Sequence, residues 1–293
     1  MPPSPNCPLC DAPGRSRFEL VPYVIYRCAA CDFEWVYPTP ADEALNQVYE
    51  GEYFAGAGLG YGDYFIKEAA SNQRKAEARA ALLCRLTPER GRLLDFGAAS
   101  GVFVSSAREK GWDAIGVEPS LAARVRAAEN IHPMLLSSFA EAAKQGPFNV
   151  VTCWDVLEHL SNPLQTLKEF SLQLNQGGLL AAVVPVIENL NARFFPRTWD
   201  QYKPPEHLNF FSRKSLRIAL ESIVGPVVHV ESAWQRYGRV LGIGERSNSG
   251  ATLALGYLEA RFASVLAKMR ILPGRWFEDS VLMVARKPVA GGN

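Results

Sequence analysis

Acidic residues stand at the ends of three predicted strands in this sequence. Asp95 closes a short apolar run, Glu118 comes directly after the next strand, and Asp155 follows the fourth. The carboxyl ends of parallel strands meet at one edge of a sheet, where open α/β folds bind their ligands. Glu118 is placed to accept hydrogen bonds from both hydroxyls of a ribose. The spacing therefore predicts a ligand site at this edge.

The turn after the first of these strands, GAASG at 97–101, has glycine at both ends. Backbone without a Cβ can approach a ligand closely, so a strand, a glycine turn and a helix start form a cofactor cradle. An ordinary βα turn is the alternative. A nicotinamide dinucleotide fold would also place an acid after its second strand, but its turn is GxGxxG, and the later sequence DVLEH has no role in hydride transfer.

Four of the six cysteines form two CxxC pairs near the N-terminus, Cys7 with Cys10 and Cys28 with Cys31. Two such knuckles can fold a β-ribbon in which four thiolates meet at tetrahedral corners, which suits zinc. Disulfides are the weaker alternative in a reducing compartment. Four cysteine ligands leave no open position on the metal, so we expect a structural zinc.

Strands and helices alternate from residue 91 onward, which predicts a parallel sheet covered by helices on both faces. We expect an α/β fold with a seven-stranded Rossmann-like sheet whose last strand is antiparallel. An aromatic-rich insertion at 187–211 interrupts the alternation after the fifth strand. The predicted strands are 92–97, 113–117, 134–137, 148–153, 179–184, 227–234 and 280–285. The predicted helices are 41–49, 63–86, 101–110, 120–129, 162–174 and 212–223.

Three segments divide the chain. Residues 1–38 form the predicted zinc ribbon, with strands at 23–27 and 33–37, and residues 91–293 form the α/β domain. Between them, 39–90 is a helical linker whose glycine-rich part at 51–62 is either a lid or a plain connector. Apolar residues at helical spacing within 251–269 predict a core face or a homodimer contact.

Charge and hydropathy exclude two classes of partner. The 31 basic and 30 acidic residues nearly balance, which argues against a nucleic-acid-binding surface. The N-terminus lacks the apolar segment of a secretory signal, and the longest apolar run, 179–187, is half the length of a membrane span. We therefore expect a cytoplasmic protein without a membrane span.

The motifs LLDFGAASGVFV, GVEPS and FNVVTCWDVLEHL, in this order, resemble those of the class I S-adenosylmethionine-dependent methyltransferases. The resemblance implies an enzyme that uses S-adenosylmethionine. Asp95, Gly97 and Gly101 would hold the methionine moiety, with Ala99 where the family usually has a second glycine. Glu118 would hold the ribose. The remaining cofactor residues would be Ser138 and Phe139 beside the adenine, and Asp155.

The cluster formed by Asp155, Glu158 and His159 resembles one in the ubiquinone-biosynthesis O-methyltransferases and the small-RNA 2′-O-methyltransferases. In those families the cluster and a later histidine can hold a divalent metal that polarises the acceptor hydroxyl. His207 is the candidate for that histidine, and Asp155 replaces a longer glutamate. Alternatively, Glu158 and His159 only cap the following helix.

Residues 205–212 resemble a motif of the sugar C-methyltransferases, which also carry an N-terminal four-cysteine module. In that family the second histidine is the base, and His207 matches it. The resemblances together predict O-methylation of a hydroxyl on a small molecule or glycan, with Asp155, Glu158, His159 and His207 as catalytic candidates. C-methylation of a sugar, or a cofactor-binding interaction protein without catalysis, are the alternatives.

Overall fold

The computed structural model describes residues 4–40, 69–128, 131–233 and 279–289. The strands are β1 Gly14–Leu20, β2 Tyr23–Cys28, β3 Glu34–Tyr37, β4 Arg92–Phe96, β5 Asp113–Val117, β6 Leu135–Leu136, β7 Phe148–Trp154, β8 Leu174–Pro185, β9 Asn209–Phe210, β10 Val227–Ala233 and β11 Ser280–Arg286. The α-helices are α1 Ala69–Leu86, α2 Val102–Glu109, α3 Leu121–Arg124, α4 Phe139–Ala143, α5 Pro163–Gln173, α6 Leu190–Phe194 and α7 Arg213–Ile223.

Seven strands form one sheet in the order β10-β11-β8-β7-β4-β5-β6. The strands from β8 to β6 pair in parallel, and β11 runs antiparallel to both of its neighbours. The predicted seven-stranded α/β fold is therefore confirmed. The strand order reverses between β4 and β7, and a ligand of such a sheet binds beside that reversal, at the carboxyl ends of the strands.

Neighbouring residues of the central strands belong to two different hydrophobic cores, because successive side chains point to opposite faces of a sheet. Leu93 packs with buried residues of α1 and α2 on one face. Leu94 packs with buried residues of α5 and α7 on the other face, in a cluster that includes three of the ribbon cysteines. Burial on both faces explains why these strands are almost continuously apolar.

The second sheet joins the N-terminal ribbon to the aromatic insertion, in the order β1-β2-β3-β9. β2 and β3 fall where the sequence predicts them, whereas β1 and the short β9 were not predicted. β9 lies within the insertion and pairs with β3 through Glu34 opposite Phe210 and Trp35 opposite Asn209. The chain segments on the two sides of the predicted boundary at residue 38 thus share one sheet.

Two predicted boundaries are wrong. β8 begins at Leu174, five residues before the predicted start. The turn expected at 175–178 lies inside this strand, where the pairing with β7 is irregular: Leu174 pairs with Phe148, and Leu179 pairs with Val150. Helix α3 covers four residues, where the sequence predicts ten.

Several predictions concern residues outside the described ranges: the helix at 41–49, the lid at 51–62, the first six residues of the helix at 63–86, the last residue of the helix at 120–129, the last residue of the strand at 227–234, and the apolar stripe at 251–269. Within the described ranges, no helix combines the length and hydropathy needed to cross a bilayer.

Candidate active site

The turn after β4 requires glycine at both of its ends. Gly97 and Gly101 have φ angles of 80° and 76°, in the left-handed region that favours glycine. A Cβ on Gly97 would stand 2.5 Å from Val156 Cγ2, and one on Gly101 would stand 2.6 Å from Ile131 Cγ2. The backbone amide of Gly97 donates to the carbonyl of Val117 at 2.8 Å, which anchors the turn to the end of β5.

Glu118 is fixed beside this turn by both of its carboxylate oxygens. The amide of Ala99 donates to Oε2 at 3.0 Å and the amide of Ser120 donates to Oε1 at 2.8 Å. Ala99 has a φ of 48°, so alanine takes the left-handed conformation at the family's glycine position. Burial raises the pKa of Glu118, and these two hydrogen bonds oppose the rise. Each oxygen keeps capacity to accept from a ligand hydroxyl.

Asp95 lies almost fully buried at the end of β4. Thr152 Oγ1 donates to Asp95 Oδ1 at 2.6 Å. Burial raises the pKa of Asp95 to about 7, against the Thr152 hydrogen bond and the charge of Arg79. The side chain would ionise readily beside a bound cation, because an opposite charge favours the charged form.

Arg79 also lies at the carboxyl-end edge of the sheet, and the sequence does not predict it there. It projects from α1, and its guanidinium lies 3.6 Å from the Asp155 carboxylate and 4.7 Å from the centre of the Trp154 ring. Asp155 itself has a φ of 58°. An arginine on a long polar helix carries no sequence signal that separates it from solvent-facing neighbours, so only the packing of α1 against the sheet reveals it.

Ser138 and Phe139, the predicted adenine neighbours, lie at the start of α4. The Ser138 hydroxyl caps this helix by accepting from the Glu141 amide. The Phe139 ring lies 6.0 Å from that of Phe96 at the end of β4 and 5.5 Å from that of Phe170. Both residues are near the same sheet edge as Asp95, and their contact with adenine stays a prediction.

Glu158, His159 and His207 come together although His207 belongs to the distant insertion. One ligand atom from each of them falls within 4.8 Å of the other two. The two imidazole rings meet edge to face at 4.5 Å between centroids. Asp155 is not in this group, so the structure assembles three of the four catalytic candidates into one cluster and places the fourth beside Arg79.

The environment of this cluster opposes a charge on Glu158 and on His159. Burial raises the pKa of Glu158 well above the usual range of a carboxyl group, and the charge of Asp155 adds to the rise. Burial, with the charge of Lys203, lowers the pKa of His159 to about 3. His159 Nδ1 lies 3.0 Å from the carbonyl oxygen of Glu206. Because a carbonyl only accepts, Nδ1 carries the proton and Nε2 carries the lone pair.

The four ribbon cysteines also converge, as predicted. Their Sγ atoms lie within 4.8 Å of one another, and all four are free thiols. The two knuckles have the same turn geometry, since the Asp11 amide donates to the Cys7 carbonyl and the Asp32 amide donates to the Cys28 carbonyl. Four converging thiols without a disulfide are the donor set that zinc prefers.

Comparison with known proteins identifies the family. The family model described as a methyltransferase domain matches residues 69–223, more than half of the chain. The chain therefore belongs to this family and has the fold of the class I S-adenosylmethionine-dependent methyltransferases. The prediction of an enzyme of this class is confirmed at the level of the family.

The individual relatives match only part of this chain or share little of its sequence. The ubiquinone biosynthesis O-methyltransferase of Aliivibrio fischeri is 30% identical over 95 residues, which are 30% of this chain and 41% of that protein. A SAM-dependent methyltransferase of Archaeoglobus fulgidus has a TM-score of 0.52 at 19% identity, covering 76% of this chain and 99% of its own. The magnesium protoporphyrin IX methyltransferase of Synechocystis PCC 6803, solved with bound SAH, has a TM-score of 0.54 at 11% identity, covering 84% and 100%. These two structures show the fold alone.

Proposed function

We propose that this protein transfers the methyl group of S-adenosylmethionine to a hydroxyl group of a small molecule or glycan. The observation that carries this proposal is the cluster of Glu158, His159 and His207, which lies just past the end of β7. Asp95 and Glu118 lie at the ends of the neighbouring β4 and β5. The proposed cofactor residues and the proposed proton acceptor would then lie at the same edge of the sheet.

The cofactor would lie across the glycine turn. Glu118 would accept from the ribose hydroxyls, and Gly97 and Gly101 allow the backbone to approach the methionine moiety. Asp95 would face the cationic amino group and Arg79 the carboxylate. Ser138 and Phe139 would border the adenine. Binding of this kind would present the methyl group toward the insertion that carries His207.

His207 would accept the proton of the acceptor hydroxyl while its oxygen attacks the methyl carbon and the sulfur leaves. A histidine suits this task because its ordinary pKa lies close to neutral pH. His159, with its pKa lowered to about 3, stays neutral and is oriented by the Glu206 carbonyl. It would hold the His207 ring in place through their edge-to-face contact.

The possible ligand atoms of the same cluster favour a second mechanism, in which a divalent cation activates the acceptor hydroxyl. One carboxylate and two imidazoles within 4.8 Å are a donor set that divalent cations accept. Glu158 Oε2 is buried and has no hydrogen-bond partner among the described residues, and a cation bound beside it would favour the ionised form of this carboxyl group. When bound, the cation would lower the pKa of the acceptor hydroxyl. Glu158, His159 and His207 would hold it.

The ribbon would hold one structural zinc through Cys7, Cys10, Cys28 and Cys31. Four thiolates fill a tetrahedral shell, so this metal would not take part in the reaction. Its binding free energy would contribute to the folding of the ribbon.

A screen of acceptors with methyl-labelled S-adenosylmethionine tests the proposal. Phenolic and sugar hydroxyls should be included, because the insertion is aromatic and the matched A. fischeri protein is an O-methyltransferase. NMR of the labelled product then separates an O-methyl group from the C-methyl group of a sugar-type reaction. Cofactor binding without transfer to any acceptor would favour the interaction protein instead.

A further inference from the structure

The segment around His207 is held from both sides by hydrogen bonds of its backbone. On one side, the Val36 amide of β3 donates to the Leu208 carbonyl at 2.9 Å. On the other side, the amides of Leu208 and Asn209 donate to the Glu158 carbonyl at 2.7 and 3.1 Å. The chain that follows His207 therefore lies between the ribbon and the loop that carries Glu158 and His159.

The chain that precedes His207 is tied to the ribbon by a buried charge. Glu34, the first residue of β3, is fully buried. Arg17 of β1 donates to both of its carboxylate oxygens, at 2.6 and 2.7 Å, and Arg27 of β2 donates at 3.2 Å. The Tyr202 hydroxyl donates to Glu34 at 2.5 Å. Burial and the negative charge of Glu34 raise the pKa of Tyr202, which keeps its hydroxyl protonated.

Arg17 reaches the insertion as well. Its guanidinium donates to the Ala192 carbonyl at 2.8 Å and to the Tyr202 hydroxyl. Tyr202 stands five residues before His207, and the His207 amide donates to the Lys203 carbonyl, which closes the turn between them. Tyr202 and this turn therefore hold the chain on the N-terminal side of His207.

We infer that Glu34, Arg17 and Tyr202 are positioning residues for His207, and that the ribbon acts on the reaction by holding this side chain against Glu158 and His159. The inference rests on the proposed function of His207, whichever of its two roles applies. Breaking a buried charge network leaves a buried charge without its partner and displaces the groups around it. A displacement of about 1 Å can lower a catalytic rate roughly a hundredfold.

Tyr202→Phe tests this inference with the least disturbance. It keeps the ring that packs edge to face on Phe18, Trp199 and Phe210 and removes only the hydroxyl. We expect kcat to fall at least tenfold, while the KM for the acceptor and the affinity for S-adenosylmethionine change less than twofold. Glu34→Gln should lower kcat further. Arg217→Gln, which breaks an exposed ion pair on α7, is the control and should change nothing.

Imidazole NMR supplies a readout that does not depend on turnover. The chain has four histidines, so the His207 signals can be assigned by comparison with His207→Gln. We expect the His207 signals to shift or broaden in Tyr202→Phe, with the four-cysteine metal content unchanged. Unchanged His207 signals and unchanged kcat in Tyr202→Phe would overturn the inference.

The two proposals fail in different ways. If His207→Ala keeps full activity, the proposed role of His207 is wrong, and the NMR signals still report whether Tyr202 positions the ring. If His207→Ala is inactive while Tyr202→Phe and Glu34→Gln both keep full activity with zinc bound, the proposed function stands and the positioning inference is wrong.

Discussion

The rings of His159 and His207 lie edge to face with their centroids 4.5 Å apart. His159 belongs to the loop after β7, whereas His207 belongs to the insertion that pairs with the ribbon. This contact is where the carboxyl-end edge of the seven-stranded sheet meets the insertion, which pairs with the ribbon through β9 and β3. The proposed acceptor chemistry, metal version and positioning network all depend on it.

Asp95 should make the stability of the protein depend on pH. Its folded pKa of about 7 lies above the model-compound value of 3.8, so between these values the folded state holds a proton that the unfolded chain releases. The contribution of Asp95 to the free energy of unfolding is therefore largest below pH 3.8, and it is lost as the pH rises to about 7. Asp95→Asn mimics the protonated form and keeps the acceptor for Thr152. Its free energy of unfolding should therefore exceed that of the unmodified protein increasingly from pH 4 to pH 8.

The size of this difference follows from the shift. Each pKa unit corresponds to about 1.4 kcal/mol, so by pH 8 the difference should be on the order of a few kcal/mol. Urea unfolding of both proteins across this range measures it. The comparison also cancels His159, whose lowered pKa acts with the opposite sign. A difference that does not vary with pH would show that Asp95 ionises normally.

Metal analysis should find one tightly held zinc per chain, because four converging thiols match its tetrahedral geometry. Cys7→Ser should lose this zinc and unfold the ribbon locally, as shown by exchange of its backbone amides. Cys84→Ser is the matched control, since Cys84 lies on α1 away from the cluster, and it should retain the metal. Purified protein without zinc and with a disulfide between the knuckles would refute the ribbon assignment.

Chelation separates the two versions of the chemistry. If His207 is the base, a chelator should leave turnover unchanged until the ribbon loses zinc, and His207→Ala should cost about 10²–10⁴-fold in rate. If a divalent cation acts at the cluster, the chelator should abolish turnover and added cation should restore it, with Glu158→Gln and His159→Gln as damaging as His207→Ala.

Asp155→Asn should affect mainly cofactor binding in either version, because the Asp155 carboxylate lies beside Arg79 and outside the cluster. Calorimetry and saturation kinetics distinguish a change in affinity from a change in kcat. A large loss of kcat in Asp155→Asn at saturating cofactor would instead show that Asp155 takes part in catalysis.

The sequence predicts the central sheet well because local patterns determine it. Leu93 and Leu94 belong to a short apolar run that ends at an acidic residue and a glycine turn, and β5 and β7 are likewise short apolar runs followed by an acidic residue. The helix predicted at 212–223 is present as α7, and the structure shows Ser212 as its N-cap. The CxxC spacing likewise predicts a cluster without knowledge of the fold.

Contacts between distant segments could not be predicted in this way. β9 has two residues, too few to show any periodicity, and it exists only because β3 offers an unpaired edge. Glu34 and Arg17 resemble surface charges in the sequence, and their burial depends on Tyr202 from the insertion. Arg79 gives no local sign that it turns toward Asp155. Each of these residues acts through a partner far away in the chain.

Titration of S-adenosylmethionine into the protein and into Glu118→Ala, by calorimetry, tests the central claim most directly. We predict that the unmodified chain binds the cofactor and that Glu118→Ala weakens binding by about 1.5–3 kcal/mol, the range for a hydrogen bond to a charged group. Glu118 also accepts from Ala99 and Ser120, so the folded state of the variant must be checked by thermal unfolding. Equal affinity of a folded Glu118→Ala, or no binding by the unmodified protein, would contradict the account.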